Sequence, residues 1–68
     1  MKRSYFKATV RLREGMDTIT KYTYTGFKKI RYILKGENLK IWLYSFNGDV
    51  ETIEFNNVLS VSVTKYKK

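Results

Sequence analysis

The sequence predicts an all-β fold: a small antiparallel barrel or curved sheet of five or six short strands, arranged as two echoing three-strand halves. Three observations predict it. Residues 5–13 alternate strictly between apolar and polar positions, the period of 2 that marks a half-buried strand. Asn47-Gly48, between two β-rich runs, is a strong short-range hairpin signal. Finally, residues 41–63 repeat the plan of residues 10–33. Val10-Arg11-Leu12-Arg13 answers to Ile41-Trp42-Leu43-Tyr44, Thr18-Ile19 to Thr52-Ile53, and Ile30 to Ile33 to Val61 to Val63. Each half reads as a hairpin, a tight corner and a third strand.

The elements follow in order. On the first strand Phe6, Ala8, Val10 and Leu12 form the inward face, and Tyr5, Lys7, Thr9, Arg11 and Arg13 the outward one. Glu14-Gly15-Met16-Asp17 reads as a four-residue turn. Thr18 to Thr25 is rich in threonine and tyrosine, which suit a pleated surface, with Tyr22 and Tyr24 inward and Lys21 and Thr23 outward. Ile19 is out of phase with those tyrosines, which implies a bulge near Ile19-Thr20 or a different register.

Residues 26–35 fit two patterns. Phe27, Ile30 and Leu34 keep helical spacing, with Thr25 as a cap and Gly36 as a terminator, so a short helix is one reading. The other is a strand in which Ile30, Tyr32 and Leu34 alternate with Lys29, Arg31, Ile33 and Lys35, turning at Lys35-Gly36-Glu37-Asn38. The echo favours the strand, because its counterpart at 58–63 is β-branched and serine-rich. Leu39 to Phe46 then forms a strand, Asn47-Gly48 a type I′ turn, and Asp49 to Phe55 the return. Asn56-Asn57 makes a corner, Val58 to Val63 a last strand, and residues 65–68 a frayed basic tail. Residues 1–68 are expected to form one domain.

Composition narrows the chemistry. The 68 residues include no cysteine and no histidine, which removes disulfides, thiolate chemistry and the commonest metal ligands and proton shuttle. No cofactor is expected. Glu51 and Glu54 stand three positions apart, so on a strand they point to opposite faces and cannot act as a catalytic pair. An enzyme is therefore not expected. No run approaches the length and apolarity of a membrane span or a signal peptide, so the expected location is cytoplasmic, with no membrane partner.

Charge points to the partner. Fourteen lysines and arginines face six acids, a net +8, which concentrates polyanions by long-range attraction and makes their binding salt-sensitive. Four acids, Glu14, Asp17, Glu37 and Asp49, fall at turns, whereas the bases lie along strands and at both ends. Combining the alternation of the first, third and fourth strands puts Lys7, Arg11, Arg13, Lys29, Arg31, Lys35, Lys40, Trp42 and Tyr44 outward. Within that set, Arg11, Arg13, Lys29, Arg31, Lys40, Trp42 and Tyr44 are the candidate nucleic-acid-binding residues. The cations would neutralise phosphates, and the indole and phenol rings would stack on bases.

Part of this chain resembles a known family. Ala8-Thr9-Val10-Arg11-Leu12, Lys28-Lys29-Ile30-Arg31 and the hairpin that follows are similar to the opening strands of the archaeal seven-kilodalton chromatin proteins. Those are basic five-stranded barrels that bind duplex DNA in the minor groove. The likeness covers about residues 8–50; that family ends in a helix, where Val58 to Val63 reads as a strand, and no residue roles are carried over.

Three functions fit these features. The first is nucleic-acid binding, to DNA or RNA. The second is a protein-interaction module, such as a compact inhibitor carried by a phage or mobile element, in which Trp42, Tyr44 and Phe46 anchor an acidic protein. The third is a homo-oligomer with the same stripe buried between copies.

Overall fold

A computed structural model describes residues 4–67. It contains six strands: β1 (Ser4–Arg13), β2 (Ile19–Phe27), β3 (Lys29–Lys35), β4 (Asn38–Tyr44), β5 (Val50–Phe55) and β6 (Val58–Lys67). They form two three-stranded antiparallel sheets, with order β2-β1-β6 in the first and β3-β4-β5 in the second. The sheets face each other as an open sandwich; no ladder joins β2 to β3 or β5 to β6, so the barrel does not close. Residues 26–35 are strand throughout, apart from Lys28, and not helix. Among the described residues there is no helix, hence none long and apolar enough to cross a membrane. Where the archaeal chromatin proteins carry their terminal helix, this chain has β6.

The internal echo is visible as geometry. β1 and β4 are the two central strands, each flanked by its own hairpin partner and by the third strand of the other half. Both hairpins close on a three-residue loop. The Glu14 N–H donates to the Thr18 carbonyl (2.8 Å), and the Ser45 N–H to the Asp49 carbonyl (2.9 Å). Opposite Val10 stands Tyr22, and opposite Ile41 stands Ile53. Tyr22, not Ile19, is thus the counterpart of Ile53, which corrects the match expected from the sequence. The corners also correspond: Gly26 has φ +86° and Asn57 φ +59°, left-handed conformations that glycine adopts freely and asparagine tolerates. They let β2 run into β3, and β5 into β6, by changing sheet within one or two residues.

Other local expectations are revised. Asn47 does not take a positive φ, so the β4–β5 connection is not a two-residue type I′ turn. Gly48 alone is left-handed (φ +97°), and its N–H donates to the Ser45 carbonyl at 3.2 Å. The asparagine contributes differently: its Oδ1 accepts the Asp49 N–H at 3.1 Å. No bulge occurs at Ile19-Thr20. The ladder runs unbroken from Lys7↔Thr25 to Arg13↔Ile19, so Ile19 points outward and is 61% exposed. The irregularities lie instead at Phe6/Lys7, beside Gly26, and at Arg11/Leu12, where Leu59 is the extra residue in β6. Residues 65–67, expected to fray, continue β6 and pair with β1, from Lys65↔Phe6 to Lys67↔Ser4; Lys68 lies outside the described residues.

The core fills the space between the sheets. Ala8, Val10 and Leu12 of β1 meet Leu39, Ile41 and Leu43 of β4, completed by Ile30 and Val58, the first inward residues after each corner. Around them pack Phe6, Tyr24, Phe27, Ile53, Phe55 and Val63. The sequence missed Val58 because the β6 bulge puts it in phase with the core. Conversely, Tyr32 (44% exposed) and Leu34 (41%) were expected inside. They do share the phase of Ile30, but β3 is an edge strand and they sit beyond the cover of the opposite sheet. At the other margin Tyr22, also expected inside, is 37% exposed, its ring tilted against Phe55 at 5.3 Å.

Candidate nucleic-acid interface

Outward residues of β3, β4 and β5 share one face, and their register decides which side chains meet. Lys29 stands opposite Tyr44, Arg31 opposite Trp42, and Ile33 opposite Lys40. On the other side of β4, Lys40 faces Glu54, Trp42 faces Thr52, and Tyr44 faces Val50. Because directly opposed side chains are only about 5 Å apart at Cβ, each aromatic ring gains a cationic neighbour. The Lys29 Nζ lies 5.7 Å from the Tyr44 ring centroid. Trp42 has two such neighbours, the Lys40 Nζ at 5.3 Å and the Arg31 guanidinium carbon at 5.9 Å. These are cation–π distances, worth about 0.5–1 kcal/mol each at exposed sites.

Trp42 and Tyr44 are half-buried, and neither belongs to the core clusters. Their outer surfaces belong to the molecular surface. Ile33 (50% exposed) and Val50 (53% exposed) extend this face apolarly, and the sequence reading had left them out. Their alternation with Lys29, Arg31 and Tyr44 was the available signal. At the hairpin end the face continues into a shallow hollow bordered by Lys28, Lys29, Tyr44 and Asp49. Phe46 is exposed but sits in the β4–β5 loop, beyond the end of β4.

Of the seven candidate residues, the structure brings five together: Lys29, Arg31, Lys40, Trp42 and Tyr44. Arg11 and Arg13 are elsewhere. They point outward from β1, the centre of the other sheet, so the sandwich separates them from the aromatic face. The alternation of each strand was read correctly, but a common outward face for the first, third and fourth strands was not the outcome. Strand β1 turns its outside away from that of β3 and β4.

The charge on this face is strongly one-sided. Four bases, Lys29, Arg31, Lys35 and Lys40, share the aromatic face with one acid, Glu54. Glu51 points to the other side of β5, as the spacing required. No buried polar or charged residue occurs among the described residues, and no cluster of three or more acids that could hold a metal ion. The perturbed titrations belong to β2. The Tyr22 hydroxyl donates to Glu14 Oε1 at 3.1 Å, and that hydrogen bond, with the carboxylate charge, raises the phenol's pKa above its ordinary value. Tyr24 is raised by burial and then by the charge of Glu51. Neither lies on the aromatic face. Compared with protein-family models, curated proteins and solved structures, the chain has no match.

Proposed function

We propose that this protein binds single-stranded nucleic acid on the outer face of β3-β4-β5. Lys29, Arg31 and Lys40 neutralise phosphates, and Trp42 and Tyr44 provide planes for bases. The observation that carries the reading is the interleaving itself: two aromatic rings at adjacent outward positions of one strand, Tyr44 with one cation and Trp42 with two at cation–π distance. Alternate residues on a strand are about 7 Å apart. Two bases can therefore stack on Trp42 and Tyr44 while their phosphates reach the flanking ammonium and guanidinium groups. The net charge of +8 supplies the long-range attraction. A cytoplasmic location accords with this reading, and DNA and RNA both satisfy the chemistry.

The test uses Trp42, the single tryptophan, as the reporter. Its fluorescence is titrated with oligothymidylate and oligouridylate at two salt concentrations. Quenching is expected, with affinity falling about 0.7 log units per log unit of salt for each phosphate contact. An unchanged signal with no binding by anisotropy would refute the reading and leave an acidic protein or a second copy of the chain as the partner for Trp42, Tyr44 and Phe46.

A further inference from the structure

The outer face of the first sheet carries the two arginines that the aromatic face does not use. By register it comprises Tyr5, Lys7, Thr9, Arg11 and Arg13 of β1, Ile19, Lys21, Thr23 and Thr25 of β2, and Ser60, Ser62, Thr64 and Tyr66 of β6. None of these residues is acidic. Arg11 stands directly opposite Lys21 on one side and Ser60 on the other. A like-charge pair at such a position opposes sheet pairing, so stability does not account for it. An anion seated between the two groups would turn that repulsion into attraction.

The chemistry of this face differs from that of the other. Cations here alternate with hydroxyls: Thr9 on the arginine's own strand, Thr23 and Thr25 on β2 to one side, Ser60, Ser62 and Thr64 on β6 to the other. Rings occur only at the far end, where Tyr5 and Tyr66 stack on each other (5.4 Å between centroids) with the Lys7 Nζ 5.9 Å from Tyr66. Hydroxyl donors and cations without stacking planes recognise phosphate and sugar while reading no base. A duplex, whose bases are already stacked inside, offers no free base plane but a dense, continuous line of phosphates.

We infer that the outer face of β2-β1-β6, centred on Arg11 and Lys21, binds the phosphate backbone of a duplex, so that the protein joins a single strand on one side of the sandwich to a duplex on the other. This rests on the nucleic-acid reading given above. Arg13 lies at the border of this face, where it lines a hollow together with Glu37 and Leu59, whereas Arg11 and Lys21 stand directly opposite each other in the ladder. Arg11 and Lys21 are therefore the residues to vary.

Two measurements test it. In the first, the protein is loaded on immobilised oligothymidylate and a labelled 20-base-pair duplex is passed over it. Wild type should capture duplex. The double variant Arg11→Gln, Lys21→Gln should lose capture at least tenfold while holding the immobilised strand within twofold, and Arg11→Lys should retain capture. In the second, duplex alone is titrated across salt concentrations. The double variant should lower the slope of log affinity against log salt by about 1.8, two contacts at about 0.9 each. Equal capture by wild type and double variant, or an unchanged slope, overturns the inference. So does binding to phosphatidylserine vesicles that is lost in the double variant while duplex binding is unaffected, because the face would then belong to a lipid surface. If wild type fails to hold oligothymidylate, the single-strand reading fails by itself, and the duplex titration still decides this one. A thermal midpoint no lower than that of wild type shows that the double variant is folded.

Discussion

Replacing Trp42 by alanine separates stacking from charge. The indole sits between Arg31 and Lys40 on the outer face of β4, with Thr52 opposite on β5. Truncation removes the stacking plane, worth about 1–3 kcal/mol per base. At about 1.4 kcal/mol per tenfold, this corresponds to a loss of about 5- to 140-fold in affinity for oligothymidylate. Both cations remain, so the number of phosphate contacts is unchanged and the salt slope should be preserved. Lys40→Gln should do the reverse, weakening binding modestly while lowering the slope by about 0.7. The assay is anisotropy of a labelled oligonucleotide, which needs no tryptophan, at several salt concentrations. Trp42→Phe, which keeps a plane, should recover most of the loss. Binding by Trp42→Ala within twofold of wild type, at matched folded fraction, would refute the stacking argument.

Further outcomes follow from the fold. Ile41, fully buried at the centre of β4, should cost about 2–5 kcal/mol as Ile41→Ala in denaturant unfolding. Gly26→Ala should cost about 1–2 kcal/mol from the left-handed backbone alone, since an added Cβ would meet nothing within 4 Å. Tyr22 should titrate above the ordinary tyrosine value of about 10, and Glu14→Ala should return it toward that value in an absorbance titration. The raised pKa means that the unfolded chain loses this proton first as pH rises. The Glu14–Tyr22 contact therefore stabilises the fold fully below about pH 10 and progressively less above it, and wild type and Glu14→Ala should converge in stability in strong alkali.

What the sequence revealed was mostly local. The alternation of Tyr5 to Arg13, the Lys35–Asn38 turn and the Asn56-Asn57 corner depend on neighbouring residues, and their positions hold. The echo between halves also holds, although it aligns Tyr22 rather than Ile19 with Ile53. What escaped was set by distant partners. Alternation says which side of its own strand Arg11 occupies, not which sheet that strand joins, and β1 joins β6, almost the full chain away. Val58 was missed for a related reason, since its phase depends on a bulge that exists only in the pairing with β1. Tyr32 and Leu34 carry the right pattern for a core but occupy an edge strand, and edge position is a property of topology rather than composition.

The exchange of third strands between the halves has a consequence for assembly. A chain cut between Gly36 and Glu37 would leave one piece with β1, β2 and β3 and another with β4, β5 and β6, neither owning a complete sheet. The amino-terminal piece lacks the β6 neighbour of its central strand, and the other lacks β3. Each fragment by itself should be an unpaired hairpin, marginal in water, and the two should recover the native spectrum only on mixing. The intact chain meets the same requirement kinetically: β1 must wait for the last strand to be available, so folding belongs with the slow, non-local β topologies.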